Sequence, residues 1–310
     1  MQVEIFGAGM AGLLAGNMLA RRAPIINETA TDLPNNHSAV LRFRSSVVGD
    51  VTGIPFREVS MIRTSVPWKN PVADALAYSF KNTGTRRSDR SISGGDVAAK
   101  RWIAPPDFIP RLAEDLFPAI AFGASPSYIG DLAKNGGSTI ISTIPMPDLM
   151  LALEYPRMPD FAWAPAVNIT ARIELCDAFV SILVPDPGLP FSRISITGDR
   201  LTIEVPQKLS LSKDDTHQWT YAAAALLGIA PFDIVDIQAS PSRYAKILPI
   251  DEDARREFIS WATDTFNVFS LGRFATWRPG LLLDDLVADI RLIDRWIDRP
   301  ARRYSLNKIR

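Results

Sequence analysis

Cysteine and histidine are scarce in this chain of 310 residues. A single cysteine, Cys176, excludes an internal disulfide framework and a dithiol redox pair, and it is typical of a reducing compartment. With only two histidines besides, a zinc site would have to rely on carboxylates, so we predict no metal site.

The chain also lacks a net charge. It has 34 basic and 34 acidic side chains, so no overall field attracts it to nucleic acid or to a membrane surface. Two segments are locally basic: residues 81–101 hold six basic and two acidic side chains, and residues 291–310 hold seven and two. These patches would allow contact with nucleic acid or with a phosphate-bearing substrate, although a solvated surface and a basic tail explain them too.

No uncharged apolar run is long enough to cross a bilayer. The longest, residues 221–232, contains Gly228 and Pro231 and falls short of the roughly 20 residues that a spanning helix needs. Residues 5–20 resemble the core of a secretion signal, but an acid precedes them and a basic pair follows them, which is the reverse of a signal's charge order. We therefore expect a soluble, cytoplasmic protein with no membrane partner.

A glycine-rich turn between a strand and a helix is the clearest motif that is present. Residues 2–6 predict a strand, residues 10–22 have helical composition, and residues 24–27 predict a second strand. The turn matches G-x-G-x-x-G and reads Gly7-Ala8-Gly9-Met10-Ala11-Gly12. Glu28 follows about 20 residues later, where its carboxylate can accept hydrogen bonds from ribose hydroxyls. The order of these parts predicts a dinucleotide-binding α/β domain.

Each glycine position has a physical role in holding a pyrophosphate. Gly7 permits the tight turn, Gly9 lets the backbone approach the phosphates, and Gly12 lets helix and strand pack closely. The helix N-terminus at Met10 and Ala11 offers N–H groups and partial positive charge to the phosphates. A glycine-rich turn with no ligand is the alternative.

The composition and the apolar periodicity of the rest of the chain change twice. Residues 31–101 are rich in Pro, Gly, Ser and Asn with poor periodicity, which predicts loops and short strands. Residues 167–205 alternate apolar and polar side chains between turn signals, which predicts an antiparallel sheet. Residues 282–298 carry a strong apolar stripe and predict a final helix.

Three further segments point to one family. Residues 267–289 predict a strand that runs into Gly272-Arg273, then a loop, then the final helix near Leu283-Asp284. Residues 138–147 read STIISTIPMP, and residues 243–250 read RYAKILPI. Together these segments resemble FAD enzymes of the amine-oxidase superfamily, which includes protoporphyrinogen-oxidase-like proteins and UDP-galactopyranose mutases.

The resemblance implies a cofactor and an architecture. FAD would be bound by a discontinuous Rossmann-like domain, residues 1–60, 96–155 and 240–310. A mainly antiparallel β substrate domain, residues 61–95 and 156–239, would be inserted into it. The fold class expected from both lines of reasoning is therefore α/β with an inserted β domain.

The resemblance also implies cofactor contacts near the end of the chain. Gly272 and Arg273 would lie by the flavin ribityl-phosphate, and the helix N-terminus at Leu283 and Asp284 would point its N–H groups at the flavin pyrimidine. A helix N-terminus there would stabilise the negative charge of a reduced flavin.

The segment after Glu28 departs from the family. The usual double glycine before the family's arginine is absent from residues 37–44. Arg42 or Arg44 would still meet the cofactor phosphates, because arginine suits bidentate phosphate contacts. An ordinary surface ion pair is the alternative for both.

Four side chains are candidates for the catalytic site. Trp277 and Tyr244 would wall the substrate site with aromatic rings, and His37 would serve as an acid–base group. Lys69 would act as a flavin-proximal base or a substrate clamp. Plain core packing explains the aromatic residues equally well, and a solvated loop explains Lys69.

Several functions remain open at this point. The leading hypothesis is an FAD-dependent enzyme acting at a C–H or C–N centre of an amine or amino-acid-type substrate, free or nucleotide-linked, by oxidation or flavin-dependent lysis. The compact size is similar to that of small phage-type flavin-dependent lyases, whose substrate is an amino-acid group on modified thymidine in DNA. The alternatives are a redox-neutral flavin isomerase resembling UDP-galactopyranose mutase and a non-catalytic FAD-binding scaffold.

Overall fold

The computed structural model describes residues 2–33, 42–87 and 96–298. Within these ranges, five short strands form a parallel sheet, here called sheet A. They are β1 (Gln2–Phe6), β2 (Ile25–Glu28), β6 (Ile120–Phe122), β7 (Ser138–Ser142) and β13 (Val268–Ser270).

The strand order of sheet A is β13-β7-β1-β2-β6. The chain leaves β1 toward β2 on one side, whereas β7 pairs with β1 on the other side. The order therefore reverses beside β1, and ligands of open α/β sheets bind outside the carboxyl ends of the strands at such a point. We call this side of sheet A the carboxyl edge.

Helices cover both faces of sheet A. Residues of α1 (Met10–Met18), α4 (Phe108–Glu114) and α9 (Leu283–Asp298) share one core, and residues of α5 (Tyr128–Asn135), α6 (Met146–Ala152) and α8 (Glu252–Phe266) share the other. Neighbouring strand residues enter opposite cores, because successive side chains of a strand point to opposite faces. Ile5 lies in the first core and Phe6 in the second, and the same holds for Phe269 and Val268.

Eight strands of the described residues form a second sheet, here called sheet B. They are β3 (Arg42–Phe43), β4 (Arg57–Ser65), β5 (Val97–Ile103), β8 (Trp163–Ile173), β9 (Ala178–Leu183), β10 (Arg193–Gly198), β11 (Arg200–Pro206) and β12 (Ile234–Ile247), in the order β12-β8-β11-β10-β9-β4-β5-β3. All pairings are antiparallel except that of β4 with β9. The predicted fold class, a Rossmann-like α/β sheet combined with a mainly antiparallel sheet, is confirmed.

Sheet B has one apolar face and one polar face. Ile194, Ile203 and Val205 lie in a core shared with α7 (Lys213–Ala225). The residues next to them along the strands, including Arg193 and Glu204, therefore point to the other face. This polar face forms the wall of a cavity described below.

The sequence interpretation was wrong over part of residues 31–101. Loops and short strands were expected, but α3 (Pro71–Thr83) is a helix of 13 residues, and the short helix α2 (Val47–Thr52) precedes it. Asn70 caps α3 by accepting a hydrogen bond from the Ala73 N–H, and Gly84 ends it in the left-handed conformation.

The boundary of the first helix also differs from the one expected: the helix ends at Met18 instead of Arg22, and a 3-10 turn follows at Ala20–Arg22. The segment from residue 243 belongs to β12, which begins at Ile234 and carries two register shifts against β8. The boundaries of the two domains stay a prediction. None of the helices within the described ranges has the length and apolar character that crossing a bilayer requires.

Candidate functional site

The glycine turn lies at the carboxyl edge between β1 and α1. Gly7 has a φ of +99°, a conformation that favours glycine, and a Cβ there would collide with the Thr143 hydroxyl. A Cβ on Gly12 would overlap the Gly7 carbonyl oxygen. Gly9 is the N-cap of α1 in extended conformation, so Met10 and Ala11 form its first turn. Close packing therefore requires glycine at positions 7 and 12, as the dinucleotide fingerprint predicts.

Glu28 lies at the end of β2 beside this turn and is buried. One carboxylate oxygen accepts a hydrogen bond from the Ala8 N–H at 2.6 Å. The other accepts from the Ala30 N–H at 3.0 Å and from the Thr29 hydroxyl at 3.3 Å. Glu28 thus holds the glycine turn as well as lying where the fingerprint places the ribose ligand.

A second glycine turn, from the other end of the chain, packs directly on the first. Gly272 follows β13 with a φ of +98°, and its Cβ position is only 3.2 Å from the Cβ of Ala11. The Leu271 N–H donates to the Ser142 carbonyl at 2.8 Å, which continues the parallel ladder up to the turn. The fold therefore brings the fingerprint and the Gly272-Arg273 segment together.

The start of α9 is tied to the loop that follows β3. The Asp284 carboxylate accepts hydrogen bonds from the Arg44 N–H at 3.1 Å and from the Ser45 N–H and hydroxyl at 2.9 Å. Leu283 packs against the core that α1 and α9 share, and Arg44 is exposed. The Asp284 side chain therefore has a structural role, whether or not the helix N-terminus meets a cofactor.

Arg42 lies on β3 and is partly buried. Its Nη1 donates to the Met61 sulfur at 2.8 Å, while its buried Nε has no hydrogen-bond partner among the described residues. Burial, together with the charges of Arg193 and Arg101, lowers the pKa of Arg42 to about 10. A cation in this state would gain from an anionic partner.

Trp277 and Tyr244 lie in one aromatic cluster with Phe161, Trp163 and Phe274. Trp277 is 1% exposed, and its Nε1 donates to the Leu248 carbonyl at 2.8 Å. The Tyr244 hydroxyl donates to Asp148 at 3.2 Å, and burial together with Asp148 raises the pKa of Tyr244 to about 12. Both side chains thus take part in core packing, and their catalytic role stays a prediction.

Of the two remaining catalytic candidates, the structure describes only Lys69. Lys69 is exposed in the loop before α3, where its ammonium lies over the Trp68 ring at 4.5 Å. His37 lies outside the described residues. No group of three or more His, Cys, Asp or Glu side chains that could hold a metal occurs in the described ranges.

A cavity of about 160 Å³ lies between the polar face of sheet B and the Gly272-Arg273 turn. We call it the charged cavity. Its lining residues are Asn168, Arg193, Ser195, Thr202, Glu204, Ser242, Ala245, Lys246, Arg273 and Phe274. Sequence reasoning missed Arg193, Glu204 and Lys246, because charged residues at alternate strand positions are normally expected to face water.

An ion triad forms one wall of the charged cavity. Glu204 on β11 pairs with Arg193 on β10 and with the Lys246 ammonium on β12, the latter at 2.5 Å. Burial lowers the pKa of Lys246 to about 8, although Glu204 acts in the opposite direction. Burial raises the pKa of Glu204, but the charges of Arg193 and Lys246 outweigh burial and leave it below its usual range. At neutral pH Arg193 and Glu204 are therefore charged and Lys246 is mostly protonated, which leaves about one positive charge in excess.

The basic segments are only partly described. In residues 81–101, Lys81 donates to the Val184 and Asp186 carbonyls, and Lys100 pairs with Glu58 at 2.8 Å. Most of the C-terminal basic segment lies beyond residue 298, outside the described residues. Contact with nucleic acid through these segments stays a prediction.

No protein-family model matches the chain, and no curated protein matches its sequence. Among solved structures, reduced UDP-galactopyranose mutase is similar with a TM-score of 0.70 at 12% identity, covering 96% of this chain and 94% of that one. Glycine oxidase from Geobacillus kaustophilus has a TM-score of 0.51 at 13% identity, covering 95% and 94%. At such identities the similarity establishes the fold alone. The chain therefore has the overall fold of UDP-galactopyranose mutase over nearly its whole length.

Proposed function

We propose that this chain is an FAD-dependent enzyme that holds its cofactor at the carboxyl edge of sheet A. The contact of Gly272 with Ala11 carries the proposal, because it places two glycine turns from opposite ends of the chain against one helix N-terminus. A dinucleotide binds its pyrophosphate through backbone N–H groups at a glycine turn and a helix N-terminus, and this arrangement provides both.

The residues present fit FAD. Gly7 and Gly12 leave no room for a side chain, so the turn keeps the tight backbone path that a pyrophosphate site requires. Glu28 is buried at the end of β2, where it would accept hydrogen bonds from the adenosine ribose. Gly272, Arg273 and the start of α9 would hold the flavin half. When bound, FAD supplies two-electron redox chemistry, while the protein supplies orientation and excludes water.

The substrate would lie between the Gly272-Arg273 turn and the polar face of sheet B. The leading reaction is oxidation or lysis at a C–H or C–N centre of an amine or amino-acid-type substrate. An amino acid suits the excess positive charge of the cavity through its carboxylate, whereas a simple amine would be repelled.

A redox-neutral isomerase is the second candidate. Two observations favour it: the similarity in fold to UDP-galactopyranose mutase over 94% of that chain, and the excess positive charge of the cavity. A nucleotide diphosphate would supply the anion in this case.

The visible absorbance spectrum of the purified protein, with and without added FAD, tests the cofactor. Anaerobic addition of amino acids that bleaches a flavin spectrum would support oxidation. Conversion of a substrate without net bleaching would support lysis if an amino-acid substrate is cleaved, and isomerisation if UDP-galactose is interconverted. Bound flavin that neither bleaches nor turns over any of these would favour a scaffold. A protein that binds no flavin would contradict the proposal.

A further inference from the structure

Sheet B buries more positive than negative charge beside the charged cavity. Arg193 and Lys246 share the single carboxylate of Glu204, and the Lys246 side chain is only 17% exposed. Arg42 adds to the positive charge on this side, since its guanidinium lies close enough to that of Arg193 for the two to repel. Partly buried cations without an equal negative charge cost free energy, which a bound anion would recover.

Neutral side chains that can form hydrogen bonds line the charged cavity beside the ion triad. Ser195, Thr202, Ser242 and Asn168, whose side chains carry hydroxyl or amide groups, line the same cavity, and the Ser195 hydroxyl also contacts Ser181 at 3.4 Å. Hydroxyl and amide groups can donate to an oxyanion, and serine and threonine can turn their O–H toward it. The cavity therefore combines cations and neutral donors in one small polar space.

We propose that the charged cavity binds an oxyanion, the carboxylate or phosphate group of the substrate, through Lys246 and Arg193, which Glu204 bridges. Arg273 lines the opposite wall, so the anion would be held between sheet B and the Gly272 turn. The inference deepens the proposed function, since it rests on the flavin site for calling the anion part of a substrate. Anion binding itself requires no flavin.

Isothermal titration calorimetry tests the site with two probes, inorganic pyrophosphate and acetate. Each probe is added to the protein before and after loading with FAD. At least one probe should saturate a single site per chain, and the tighter probe identifies phosphate or carboxylate as the preferred anion. The Lys246→Met variant should bind that probe roughly 10-fold or more weakly, because a charge-assisted hydrogen bond is lost.

Two further variants keep the result interpretable. Lys100→Met removes an exposed lysine that also pairs with a glutamate, and its anion affinity should stay within about twofold of the wild type. Lys246→Arg keeps the charge and should retain most of the affinity, which separates loss of charge from loss of fold. Thermal unfolding of each variant checks that the chain is folded.

Three outcomes would overturn the inference: neither probe saturates, Lys246→Met binds as well as Lys100→Met, or FAD abolishes anion binding. The last outcome would assign the cavity to the cofactor phosphates. A protein that binds the anion through Lys246 but never binds FAD would contradict the proposed function while leaving the anion site in place.

Discussion

At the residue scale, the candidate site depends on glycines that no other residue can replace without strain. Gly272 combines a positive φ with a 3.2 Å approach of its Cβ position to Ala11. Gly280, eight residues later, has open space around its Cβ position and no such φ. Replacing each of the two glycines with alanine therefore compares a strained position with an unstrained one.

We expect Gly272→Ala to lower the free energy of unfolding by about 1–3 kcal/mol, because alanine is strained at that φ. Gly280→Ala should change it by less than about 0.5 kcal/mol. Urea denaturation of the two variants measures the difference. Equal stabilities would mean that the Gly272 turn does not have this conformation.

Glu28 is the residue whose cofactor role is easiest to test. Glu28→Ala should weaken FAD binding roughly 10- to 150-fold, since a hydrogen bond to a carboxylate contributes about 1.5–3 kcal/mol. Glu4→Gln is the control, because Glu4 is also a buried carboxylate but lies within β1 and accepts from Asn27. Fluorescence titration of FAD gives both affinities, and an undiminished affinity in Glu28→Ala would disprove the ribose contact.

Lys246 makes stability depend on pH. Its pKa is about 8 in the folded chain and about 10.5 when unfolded, so between these values the unfolded chain binds more protons. The contribution of Lys246 to the free energy of unfolding should therefore rise as pH increases from about 8 to 10.5. Relative to Lys246→Met, the wild type should gain roughly 1–3 kcal/mol over that range. Denaturation in buffers free of phosphate and carboxylate measures it, and a pH-independent difference would contradict the shifted pKa. Lys81 shows the same shift but is unchanged in both proteins.

At the element scale, the start of α9 is fixed by its contact with the loop after β3. Asp284 accepts three hydrogen bonds from Arg44 and Ser45, far apart in sequence. This contact ties α9, which packs on one face of sheet A, to the loop that follows β3 of sheet B.

Asp284→Ala should lower the free energy of unfolding by about 1–2 kcal/mol, because hydrogen bonds to a partly exposed carboxylate are lost. Asp253→Ala is the control, since Asp253 also lies in the first turn of a helix, α8. We expect that control to cost less than about 0.5 kcal/mol. Thermal unfolding measures both losses of stability. Similar losses in the two variants would show that Asp284 stabilises the chain through the helix dipole alone and not through its hydrogen bonds.

Elements with strict periodicity could be predicted from the sequence, and others could not. The alternation in β10 and β11 predicts strands because every second residue enters a core. The same alternation cannot show what covers the polar face, so the inward position of Glu204 was missed. Helix α3 was missed although Asn70-Pro71 and Gly84 are good end signals, because its apolar residues are interrupted by polar ones.

At the scale of the whole molecule, the fold places two kinds of site side by side. Sheet A brings residues 7–12, Glu28 and Gly272 to its carboxyl edge. Sheet B turns the Arg193–Glu204–Lys246 triad toward the turn that carries Arg273. The fingerprint was predictable because it is local, whereas the triad joins three strands and required the pairing of sheet B.

Equilibrium titration of the purified wild-type chain with FAD, followed by flavin fluorescence, tests the cofactor site most directly. We expect saturation at one FAD per chain, and at a free FAD concentration 100 times the Kd the free energy of unfolding should rise by about 2.7 kcal/mol. A chain that shows no saturable FAD binding, and whose stability FAD does not change, would contradict the proposed cofactor site.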